Sequence, residues 1–302
     1  MGSVLATLYL SLTLVGAILF TEHTLHLPRK AITQRGSFEQ TISKQFGGRL
    51  TDVVVRAPDG ADLSAWYVEP QHWNGSEVIL LHGVTDNREG VAGYSLLFLK
   101  NGYAVLLPDS RTHGESGGEI ATYGVLERND VRTWAARLRT DSQGCIYIFG
   151  ESMGAAIASQ ATPVTPGVCA TVAESSFSTL REIAYDRFSQ TTGLGLSFSR
   201  VALRPMLETA LLYARLRYRV NLAEASPERS VMATHVPVLL IDGLADHNIP
   251  PRHSRRIIQA AGTQDVLWEV AGADHGGAVS QDANGFERRV LAWLATHRAP
   301  VR

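Results

Sequence analysis

Short, unbroken apolar runs alternate with longer stretches of helical periodicity along most of this chain, and that alternation narrows the fold more than any other property. The runs fall at residues 78–81, 104–107, 146–149, 171–173, 238–241 and 266–270, and the helical patterns at 92–100, 126–139, 154–161, 252–261 and 285–296. Strands that are apolar on every residue must be covered on both faces, which is the condition of a parallel sheet with helices on each side. Ahead of them, residues 51–57 and 63–68 read as two strands joined across Pro58-Asp59-Gly60, an antiparallel start. The expected fold is α/β, a mostly parallel central sheet with antiparallel N-terminal strands and helices on both faces. The spacing breaks once, between Ser175 and Val236, where some 60 residues exceed a normal crossover and suit a helical cap over the carboxyl ends of the strands.

The N-terminus follows a different pattern. Ser3 to Phe20 carry no charge and are dominated by Leu, Val, Ala and Ile. As a helix these 18 residues would be about 27 Å long, close to the roughly 30 Å hydrocarbon thickness of a bilayer. A membrane anchor is the expectation; a cleaved signal peptide, with Val15-Gly16-Ala17 as its small-residue site, or a soluble helix are the alternatives. The division is then residues 1–20 as anchor, 21–50 as a polar connector and 51–302 as one α/β domain with the cap at 176–235. Arg29, Lys30 and Arg35 follow the apolar run, and basic residues bias the flank that carries them toward the cytoplasm. A single-pass protein with a cytoplasmic domain is therefore expected. Every residue with candidate chemistry lies beyond Thr51, so removing residues 1–20 should leave the chemistry intact.

Gly150-Glu151-Ser152-Met153-Gly154 joins the run Ile146-Tyr147-Ile148-Phe149 to a small-residue helix beginning Ala155-Ala156. A G-x-S-x-G turn between strand and helix holds a serine in a strained conformation with its hydroxyl exposed. A hydroxyl needs an imidazole to take its proton, and the imidazole needs an acid to fix its tautomer. Both follow in the expected order. Asp246 comes just after the 238–241 run, in Gly243-Leu244-Ala245-Asp246, and His275 just after the 266–270 run, in Gly272-Ala273-Asp274-His275-Gly276. Each would sit at the carboxyl edge of the sheet with Ser152, where open α/β sheets place their sites. His82, His113, His235, His247 and His253 are the other histidines able to serve as base, and Asp242 and Asp274 compete with Asp246. An immediate sequence neighbour such as Asp274 is poorly placed to reach the far nitrogen of the ring. Leu81-His82-Gly83-Val84 ends the strand expected beside the turn. Acyl transfer needs two backbone N–H groups for the oxyanion, and those of Val84 and Met153 are the candidates.

These residues, with Pro108-Asp109-Ser110-Arg111-Thr112-His113-Gly114-Glu115-Ser116 after the next run, resemble the α/β-hydrolase superfamily. Asp109 to Gly118 and Tyr123 to Asp130 are similar to its serine-aminopeptidase-like and prolyl-oligopeptidase-like branch, many of whose members carry an N-terminal membrane segment. The resemblance runs from about Thr51 to the end and implies a Ser-His-Asp mechanism without a cofactor. The expected activity is hydrolysis of carboxylic esters through an acyl-enzyme, on a small-molecule acyl substrate. A serine peptidase of aminopeptidase type, with Glu151 or Glu174 binding the substrate ammonium, is the alternative; a non-catalytic binding protein on the same fold is another.

Charge and cysteine content exclude other classes. With 28 basic against 29 acidic side chains, nothing marks a nucleic-acid partner, and no Cys/His spacing resembles a zinc site. The region 181–219 is locally basic, with seven Arg against Glu182, Asp186 and Glu208: a solvated helix face, an acidic-substrate site or a face for anionic lipid. Cys145 and Cys169 fall at the starts of strands that the resemblance makes neighbours; buried free thiols are expected, in keeping with a cytoplasmic location, and a disulfide between them is the alternative.

Overall fold

The computed structural model describes residues 2–139 and 144–298. An N-terminal helix α1 (Gly2–Leu25) and a second, α2 (Arg35–Phe46), precede an eight-stranded sheet. The strands are β1 (Arg49–Arg56), β2 (Asp62–Glu69), β3 (Glu77–Leu81), β4 (Ala104–Pro108), β5 (Ile146–Glu151), β6 (Val168–Glu174), β7 (Val238–Gly243) and β8 (Val266–Val270), in the spatial order β1-β2-β4-β3-β5-β6-β7-β8. From β4 to β8 all pairs are parallel; β2 runs against both of its neighbours. Every residue of β3, β4 and β7 is buried, as their unbroken apolar sequences require.

Helices cover both faces. On one, α2, α3 (Ala92–Lys100) and α12 (Ala283–Thr296) contribute Phe38, Ile42, Phe98, Phe286 and Val290 to a core with Val105, Tyr147 and Phe149. On the other lie α4 (Glu127–Leu138), α5 (Met153–Ala161), α9 (Pro227–Met232) and α10 (Arg252–Ala260), which bury Trp134, Ile157, Val231 and Ile257. A short helix, α11 (Ala278–Gln281), leads into α12, whose first turn is capped by Asp282 accepting from Gly285 N–H at 2.8 Å.

The cap is built from α6 (Leu180–Thr192), α7 (Leu196–Ala202) and α8 (Arg204–Arg217). The insertion is narrower than 176–235, because α9 packs on α5 and α10 as the ordinary crossover helix between β6 and β7. Nor is 21–50 a bare connector: α1 continues to Leu25, and α2 lies within it. The inner half of α1 belongs to the cap. Ala17, Thr21 and Leu25, four residues apart and so on one helix face, are buried. Leu25 packs with Leu211 and Ala214 of α8, and Phe20 packs with Tyr185 and Leu207. Glu22 accepts from the Tyr213 and Tyr218 hydroxyls at 2.8 Å each. The apolar run reads as one uniform segment in sequence, yet its second half is the part that packs on the cap.

Cys145 and Cys169 form a disulfide with Cα atoms 5.7 Å apart, which corrects the expectation of two free thiols. The physical reason lies in the register. Ile146 pairs with Val168 but Tyr147 pairs with Ala170, so Cys169 is the residue left over at a β-bulge, and a bulge re-aims the side chain it carries.

Candidate active site

The turn after β5 has the geometry its sequence requires. Ser152 adopts φ 57° and ψ −118°, a strained backbone for a residue with a Cβ. Both flanking glycines are obligatory for space. A Cβ on Gly150 would lie 2.2 Å from the Gly154 carbonyl oxygen, and one on Gly154 would lie 2.0 Å from the Leu81 carbonyl oxygen. The Ser152 N–H is held by the Glu174 carbonyl at 2.9 Å.

Ser152, His275 and Asp246, far apart in sequence, converge at the carboxyl edge of the sheet. The Ser152 Oγ is 2.8 Å from His275 Nε2, and His275 Nδ1 is 2.8 Å from Asp246 Oδ2. A carboxylate only accepts, so Nδ1 carries the proton and Nε2 is left to accept from Ser152. The other oxygen of Asp246 accepts from the N–H groups of Asn248 and Ile249 at 2.8 Å each. Burial would raise the Asp246 carboxyl, but the His275 hydrogen bond and these two amides hold it below the usual carboxylate range. Burial would lower the His275 imidazole; the hydrogen bond and charge of Asp246, with Glu151 beyond it, hold it above the ordinary histidine value. Glu151 Oε1 is 3.6 Å from His275 Nε2, a contact the sequence did not suggest.

The competing residues have other tasks. Buried His82 donates from Nδ1 to the Gly83 carbonyl at 2.7 Å and accepts the Ser110 N–H on Nε2 at 3.0 Å, and burial lowers its pKa to about 4. His113 accepts the Thr85 N–H at 3.2 Å. His253 bonds Asp186 at 2.6 Å, tying α6 to α10. His235 and His247 are exposed. Asp274 accepts the His275 N–H at 2.8 Å, and Asp242 stays inside the end of β7, where burial pushes its carboxyl up to about 7. Asp109 also turns out to be structural: it binds the N–H groups of Arg88 and Glu115 at 2.8 and 2.7 Å.

The Val84 and Met153 N–H groups make no hydrogen bond to any described residue, and both residues line a cavity of about 200 Å³ that opens onto Ser152. Its other walls are mostly apolar: Tyr123, Phe177, Leu180, Ile183, Ala184 and Ile249. Two contributors had no sequence signal pointing there, Phe20 and Thr24 of α1. Arg187, exposed, is the one charged side chain among the described lining residues and belongs to the basic region for which an acidic-substrate site was one of the readings. The expectation that residues 1–20 are remote from the chemistry is thus corrected at its boundary, since Phe20 is a wall of the cavity. Glu174, by contrast, is buried and accepts from the Tyr94 hydroxyl at 3.0 Å and the Ala278 N–H at 3.1 Å.

A parallel sheet whose fifth strand turns sharply through a glycine-flanked serine into a helix is the architecture of an α/β-type hydrolase. The chain belongs to the alpha/beta hydrolase family, whose model matches residues 78–288. An uncharacterized Bacillus subtilis protein, YqkD, is 28% identical over 263 residues, covering 85% of this chain and 81% of that one. Among solved structures, the Pyrococcus furiosus esterase Pf2001 superposes with a TM-score of 0.70 at 22% identity, over 90% of this chain and 99% of that one. A puromycin-hydrolyzing peptidase of Mycobacterium tuberculosis superposes with a TM-score of 0.61 at 21% identity, over 82% of this chain and 38% of that one. At such identities the likeness is one of fold.

Proposed function

We propose that the protein is a serine hydrolase of carboxylic esters acting through an acyl-enzyme. The observation that carries this reading is the unbroken line Ser152–His275–Asp246, at 2.8 Å for each contact, facing an apolar cavity. Ser152 Oγ attacks the acyl carbonyl as its proton passes to His275 Nε2, and the C–O bond to the alcohol breaks as that proton passes to the leaving oxygen. Water then gives a proton to His275 and its oxygen to the acyl carbon, releasing the acid and restoring the Ser152 hydroxyl. Asp246 keeps the imidazole in the accepting tautomer and stabilises the imidazolium between the two halves. The Val84 and Met153 N–H groups receive the carbonyl oxygen as it gains charge.

The ester reading is favoured over the aminopeptidase one by the charge that lines the cavity. A substrate ammonium would meet the guanidinium of Arg187; of its two candidate partners, Glu174 is already engaged by Tyr94 and Ala278, and Glu151, 3.6 Å from His275 Nε2, is not among the residues that line the cavity. The test is a panel of short acyl esters, thioesters and aminoacyl amides with wild-type protein and Ser152→Ala. Ester turnover that exceeds amide turnover and vanishes in Ser152→Ala is expected; preferential cleavage of aminoacyl amides would replace this reading with the peptidase.

A further inference from the structure

The two halves of α1 have opposite surroundings. Gly16 sits level with Met206 near the start of α8, where a Cβ on it would lie 3.0 Å from the Met206 sulfur. From there to Leu25 the helix is docked on the cap, running parallel to α8 as Thr21 meets Ala210 and Glu22 meets Tyr213. Before Gly16 it leaves the cap with its apolar residues in solvent: Val4, Leu8, Leu12 and Val15 are all more than half exposed. The chain gains nothing from hydrating this stretch, and an exposed apolar surface of such extent marks a site of contact.

Residues 4–15 form about 18 Å of helix, enough to cross one leaflet but not the roughly 30 Å of a bilayer core. The remainder would have to come from about eight further residues, which would strip Phe20 from Tyr185 and Leu207 and draw Glu22 away from Tyr213 and Tyr218 into hydrocarbon. In α7, the helix just before the start of α8 that meets Gly16, the cap also exposes Phe198 and Val201. Arg204, also exposed there, has no carboxylate within ion-pair range among the described residues. Apolar side chains flanked by an unpaired guanidinium suit the boundary between acyl chains and anionic headgroups. Only about 7 Å of helix separates Val15 from Phe20, and Phe20 and Thr24 line the cavity at Ser152.

We propose that α1 does not span the membrane but inserts its free half into one leaflet of a bilayer containing anionic lipid. The cap end at Phe198 and Val201 then rests on the surface, so that acyl esters of membrane amphiphiles reach Ser152 along α1. The substrate part of this proposal rests on the ester-hydrolase reading; the docking part does not.

The test uses the full chain and vesicles of phosphatidylcholine with one quarter phosphatidylglycerol. Wild-type protein should float with the vesicles, and Leu8→Glu/Leu12→Glu should remain at the bottom of the gradient. Both should hydrolyse a water-soluble butyrate ester at equal rates, while turnover of a long-chain ester embedded in the vesicles should fall at least tenfold in the variant. Equal flotation of the two proteins, or unchanged turnover of the embedded ester, would overturn the proposal. So would a detergent-free wild-type dimer that the same double substitution breaks, since a second copy would then cover α1. A thiol introduced by Val4→Cys should resist an impermeant maleimide from either side of the bilayer; labelling from the far side would show a spanning helix. Failure of wild-type protein to cleave the soluble ester would count against the hydrolase reading and leave the flotation result standing.

Discussion

At Ser152 the chain accepts backbone strain to present a hydroxyl, and the surrounding residues show how narrowly that is permitted. Substituting Ser152 by Ala removes the bond-forming atom and leaves the packing almost unchanged, so ester hydrolysis should fall by about 10⁴ to 10⁶ with the thermal transition preserved; activity and melting curves measured side by side check this. Gly154→Ala should behave oppositely, destabilising the fold by about 1–3 kcal/mol or more, because its Cβ would meet the backbone of Leu81. Glu151 has a role that pH can reveal. Both Asp246 and Glu151 hold the His275 imidazole above its ordinary value. The free base increases as pH rises through that raised pKa, so kcat/KM should climb with pH through a midpoint above about 6.5. In Glu151→Gln one of the two negative charges is gone, and the midpoint should move to lower pH. An unmoved profile would mean that Glu151 is only a packing residue.

Among elements, the strands and most helices were legible because their signals are local. The runs at 78–81 and 238–241 sit within β3 and β7, and the helix read at 92–100 coincides with α3. The convergence of Ser152, Asp246 and His275 was legible for a related reason: each follows a strand, and a parallel sheet collects strand ends at one edge. What escaped the reading depends on contacts across the chain. Among the described residues of α1, Ala17, Thr21 and Leu25 are the ones fully buried, too narrow a stripe to stand out in a uniformly apolar run, and Arg187 reaches the cavity through the placement of α6, which no local pattern encodes. The halves of α1 should accordingly respond differently to truncation. Removing residues 1–15 should leave hydrolysis of a soluble ester intact. Removing residues 1–25 should lower the melting temperature and the activity together, because it uncovers Leu211 and Ala214 and takes away Phe20 and Thr24. Equal activity in both truncations would show that α1 is no part of the cavity wall.

For the molecule as a whole, the disulfide and the docked helix change the expected setting. Cys145–Cys169 closes 24 residues of sequence separation, for which the chain-entropy relation gives about 3 kcal/mol, at the edge of the sheet opposite Ser152. Denatured, unreduced protein should show no titratable thiol, and Cys145→Ser/Cys169→Ser should unfold at lower denaturant while keeping its specific activity. Disulfides persist in oxidising compartments, so the cysteines no longer support a cytoplasmic domain. The bias from Arg29, Lys30 and Arg35 applies to a helix that crosses the bilayer, which the docked half of α1 opposes. The claim on which the rest depends is that Ser152 is the nucleophile. Labelling the full-length protein with a fluorophosphonate and locating the adduct by peptide mass spectrometry measures this directly. One adduct on Ser152, absent from Ser152→Ala, is the expected result; an adduct on another residue, or labelling that persists in Ser152→Ala, would contradict it.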